Sequence, residues 1–89
     1  MCAGIVEQAE ISGSAKGAGG WFPVSRARAV YDHPFHAQAD NALIIDFVNP
    51  QMGPGARVSI ELSPDSATTL VGLIESALLA GEAQHARAS

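Results

Sequence analysis

Four short stretches with strand-like patterning, separated by Gly-, Pro- and Asn-rich segments, precede one segment with helical spacing of its apolar residues. Residues 3–11 predict a first strand, with Ile5, Ala9 and Ile11 on one side and Glu7 sharing that side by simple alternation. Ser12 to Gly20 is so rich in Gly and Ser that a loop is expected there. Trp21 to Asp32 reads as a second strand. Pro23, which has no N–H to donate, is expected at an edge or a bulge. In that strand Arg26, Arg28 and Val30 alternate with Ala27, Ala29 and Tyr31, and neither set is apolar enough to decide which faces the core. His33 to Asn41 reads as a second loop, opened by Pro34 and closed by Asp40-Asn41.

The third strand has Leu43, Ile45 and Phe47 on one face and Ile44, Asp46 and Val48 on the other, the mark of a central strand or one covered on both sides. Asn49 to Gly55 is a turn of the kind that joins antiparallel strands. The fourth strand follows, with Val58, Ile60 and Leu62 inward and Arg57, Ser59 and Glu61 outward. Ser63-Pro64-Asp65 combines a capping hydroxyl, a proline suited to the first helical position and a carboxylate at the positive end of the dipole. Leu70, Leu73, Ile74, Ala77 and Leu78 form one helical stripe, which Val71 and Leu79 widen. The helix is expected to stop near Ala80-Gly81, leaving 82–89 as a frayed tail. The fold class is therefore α+β: a small antiparallel sheet of about four strands with one C-terminal amphipathic helix packed on one face. A single domain over 1–89 is expected, with an ordered core over 3–80.

A chain of 89 residues has room for one core. With 47% hydrophobic and 16% charged residues it is too apolar for intrinsic disorder, and so few charges on so small a domain point to self-association, with a homodimer as the expected state. The formal net charge is −4, and Arg26 with Arg28 is the one basic pair, so nucleic acid is not an expected partner. Cys2 is the only cysteine, which excludes an internal disulfide. No basic segment followed by an apolar run opens the chain. The helix stripe is interrupted by Gly72, Glu75 and Ser76, so no membrane partner is expected and a cytoplasmic location follows.

His33 and His36 stand three apart around Pro34, preceded by Asp32 and followed by Asp40. Two imidazoles on a constrained loop suit half of a site for one transition metal ion, copper, iron, nickel or zinc. Completion needs one or two further ligands, from Cys2, Glu7, Asp32, Asp40 or a second subunit. Removal of Met1 leaves Cys2 with a free α-amine beside its thiol, a bidentate N,S ligand or a self-activating nucleophile. The bland readings are a solvated His-x-x-His loop and a frayed chain end. His85 falls in the expected tail.

The Gly-rich stretch with Lys16 matches neither phosphate-loop pattern and has no helix after it, so a flexible hairpin connection or a lid is expected instead. Trp21 and Phe22 read as core or pocket wall, with the core as the expectation. Asp46, inside an apolar strand, requires a partner such as Arg26, Arg28 or Arg57 if buried, and a structural ion pair is expected there rather than catalysis.

The Met-Cys start, Gly13 to Gly17 leading into Gly20-Trp21-Phe22, and Asp32-His33-Pro34-x-His36-Ala37 together resemble a family of short actinobacterial proteins of unknown function. So do Asp46-Phe47-x-Asn49-Pro50 and Gly53-Pro54-x-Ala56-Arg57-Val58. The resemblance runs from Met1 to about mid-helix. It implies an acidic residue and a second His near Asp40-Asn41. Asn41 departs from that pattern and weakens a three-histidine site. The resemblance implies no activity.

The leading expectation is a small metal-binding protein, with its status as an enzyme left open, whose ligands are His33 and His36 with Cys2, Glu7, Asp32 or Asp40. The alternatives are a metal-free dimeric module for a small-molecule ligand or a protein, and a cofactor-free acid–base enzyme using His33 or His36.

Overall fold

A computed structural model of the chain describes residues 5–32 and 41–88. Strands β1 (Ile5–Gly17), β2 (Gly20–Asp32), β3 (Ala42–Val48) and β4 (Arg57–Leu62) precede a single helix, α1 (Pro64–Ala88). The strands form one sheet in the order β1-β2-β3-β4, every neighbour antiparallel. The α+β arrangement of a four-stranded antiparallel sheet and one C-terminal helix is thus present, and β3 is central as its two apolar faces require.

Register separates two faces. Ile5, Glu7 and Ala9 pair with Tyr31, Ala29 and Ala27, which pair with Leu43, Ile45 and Phe47, and these with Leu62, Ile60 and Val58. Cross-strand partners share a face, so this side is almost wholly apolar. The arginine set of β2 lies on the other side, beside Ile44 and Asp46 of β3 and Ser59 and Glu61 of β4.

The loop expected over 12–20 is instead strand. β1 and β2 continue as a two-stranded ribbon to Gly17 and Gly20, closed by Ala18-Gly19 alone. Register shifts between Glu10 and Gly13, where Ile11 and Ser12 oppose the single residue Ser25, a bulge that adds twist. The small residues are what let the ribbon twist and turn: Gly20 has φ +114°, and Phe22 lies where a Cβ on Gly17 would meet its ring at 3.2 Å. The hairpin connection expected here is present, as strand rather than loop. Pro23 stands where β3 has already ended, since β2–β3 pairing stops at Arg26↔Val48. Its carbonyl accepts a hydrogen bond from Asn49 Nδ2 at 3.0 Å, so the side that lacks an N–H meets a side chain rather than a strand.

Asn49 turns the chain from β3 to β4 by accepting from the Gln51 amide at 3.2 Å, and Gly53 follows at φ +91°. Ser63 caps α1 as expected, its Oγ accepting from the Ser66 amide at 3.2 Å. The helix does not stop at Gly81 but runs on to Ala88. A mid-helix glycine costs only about 1 kcal/mol, and Glu82, Ala83, Gln84 and Ala86 beyond it favour the helix. α1 meets the sheet through its first turns, where Ala67 is buried and Leu70 half-buried, while every side chain from Val71 to Ala86 is exposed. Among the described residues no helix is long and apolar enough to cross a membrane.

Candidate functional site

Three pieces of chain converge on one end of the sheet. Ile5 opens β1 opposite Tyr31, Asp32 ends β2 opposite Ala42, and Leu62 ends β4 opposite Leu43, one residue before the cap of α1. Ala42 is fully buried and Ala67 nearly so, small side chains that let the first helical turns close over this end.

Cys2, His33, His36 and Asp40 lie outside the described residues; Glu7 and Asp32 lie within them. Asp32 is the last residue of β2, half-buried, on the face of Val30 and Arg28. Glu7 is exposed on the opposite face, paired with Ala29. Three residue steps, about 10 Å, separate their levels along the sheet. The two carboxylates are therefore too far apart to share one ion, and Asp32 is the one that adjoins the histidine segment in sequence. Among the described residues no three His, Cys, Asp or Glu side chains come together. His85 is carried on exposed helix rather than in a tail.

The charged cluster at the sheet's centre is structural. Asp46 is 3% exposed on β3, with Arg28 opposite on β2 and Ser59 opposite on β4. Arg57 Nη2 donates to both carboxylate oxygens at 3.1 Å, its Nε reaches Oδ1 at 3.3 Å, and Ser59 Oγ donates to Oδ1. Burial pushes the Asp46 pKa upward. The hydrogen bonds from Ser59 and Arg57, joined by the charges of Arg57 and Arg28, outweigh it and hold the carboxyl below its ordinary value. The ion pair expected for Asp46 is therefore present, with Arg57 as the partner. Ser59 was missed, although the signal lay in the hairpin: pairing about the Asn49–Gly55 turn puts Ser59 opposite Asp46.

Residues 1–88 match a family described as a family of unknown function (DUF6295). The chain belongs to this family. No curated protein and no solved structure matches it.

In this DUF6295 member the hairpin tip carries the clearest departure from the expected core. Trp21 is 72% exposed, and Phe22, half-buried, borders a shallow cleft with Gly17, Gly20, Met52 and Ala56. Both aromatics lie beyond the end of β3, so β1 is their one strand neighbour among the described residues.

Proposed function

We propose that this DUF6295 protein binds one transition metal ion through His33 and His36, with Cys2 and one carboxylate, Asp32 or Asp40, completing the set. The observation that carries this reading is the register Ile5↔Tyr31 with Asp32↔Ala42. It ends β2 and begins β1 side by side at one end of the sheet. Cys2 precedes Ile5 by three residues, a covalent reach of at most about 10 Å, and His33 follows Asp32 directly. Thiolate, imidazole and carboxylate together form a donor set suited to copper, iron, nickel or zinc.

An ion held by His33, His36, Cys2 and one carboxylate would supply Lewis-acid chemistry towards a bound ligand or water. In this reading Asp32 ligates or orients an imidazole, and Glu7, on the far face, does neither. Metal content of the untagged chain, compared with His33→Ala and His36→Ala, tests it. Both variants lose the ion if the reading holds, and full retention in both overturns it.

A further inference from the structure

We infer that the apolar stripe of α1 and the apolar face of the sheet are covered by a second copy of this chain, making a two-fold dimer. Among the described residues no large side chain is fully buried, and three of the five buried hydrophobic residues are alanines. Leu73 is 62% exposed and Leu78 58%, one and two turns beyond half-buried Leu70, and Ile74 stands between them on the same stripe. The stripe continues a groove in which Leu70 and Leu73 face Ile60 and Leu62 of β4. From there the sheet face runs through Ile45 and Tyr31 to Ile5, again largely open.

The exposed area matches what a dimer needs. The chain exposes 6768 Å². A folded monomer of this mass exposes about 4,900 Å², so the excess is about 1,800 Å² per chain. Two copies together would cover at most about 3,600 Å², within the span of obligate homodimers. The shape agrees: the radius of gyration is 15.4 Å, against about 12 Å for a compact chain of this length. Because one chain presents both a helix stripe and a sheet face, an isologous pairing covers both at once. An anionic membrane surface fits less well, since α1 carries Asp65, Glu75 and Glu82 against Arg87. This inference does not depend on the metal.

Sedimentation equilibrium of the untagged chain at micromolar concentration should return twice the 9.2 kDa chain mass. Leu73→Glu and Leu78→Glu should shift the chain to monomer or lower its melting temperature, with the wild-type melting temperature rising with protein concentration. Ser76→Gln, on the side of α1 shared with Asp65, Gly72 and Ala83, should leave the dimer unchanged. A wild-type monomer at that concentration, or both glutamate variants dimerising like wild type, overturns the inference.

Discussion

Ser59 stands directly across the β3–β4 ladder from Asp46 and donates its hydroxyl to the Asp46 carboxylate, with Arg57 closing on the same group from one pleat along. The arrangement places a charge near the middle of a sheet whose other face is apolar. A buried carboxylate is tolerated only where donors replace the water it has lost.

Removing the donors should therefore destabilise the fold. Ser59→Ala should cost about 1 kcal/mol and Arg57→Ala about 1–2 kcal/mol, the latter moderated because half of the arginine side chain is in water. Urea midpoints at neutral pH measure both. Midpoints unchanged in both variants would show the cluster to be energetically idle.

The same cluster sets an acid dependence. The folded Asp46 carboxyl sits below its ordinary 3.8, so its contribution is fully present above that value and drains as pH falls through the lower folded one. Wild-type stability should drop across this acid window more steeply than that of Asp46→Asn. Parallel curves for the two proteins would contradict the assignment.

Gly53, at φ +91° and ψ 174°, occupies a region closed to L side chains, so Gly53→Ala should destabilise by about 1–3 kcal/mol. Gly55, two residues on, has open space around it and no positive φ, so Gly55→Ala should be neutral or slightly stabilising. Thermal melts of the pair separate backbone strain from lost contact.

Ser63→Ala removes the acceptor for the Ser66 amide and should cost about 1 kcal/mol, with Ser63→Asn largely restoring it. Failure of the asparagine to restore stability would point away from capping.

These particulars show where the sequence was legible. The Leu43–Phe47 alternation, the Val58–Leu62 alternation and the Ser63-Pro64-Asp65 start each carry a local signal strong enough to place β3, β4 and the onset of α1. The β1–β2 ribbon was hidden because Ser12 to Gly20 has loop composition. Those residues pair only because a bulge at Ile11-Ser12 and a two-residue turn suit small side chains. The end of α1 was hidden because Gly81 resembles a cap, but it lies within a run of helix-favouring neighbours. Trp21 reads as core by its size, and its exposure follows from where β3 stops. At the candidate site, residue types and the His33–His36 spacing were visible in the sequence. The approach of the β1 start to the β2 end was not, because it depends on the register of a hairpin containing that bulge.

The most direct test of the metal reading is elemental analysis of untagged protein, with an intact mass to show whether Met1 is retained. One equivalent of copper, iron, nickel or zinc per chain, lost in both His33→Ala and His36→Ala, is the predicted result. Protein free of metal after growth in supplemented medium, or full metal retained in both variants, would contradict it.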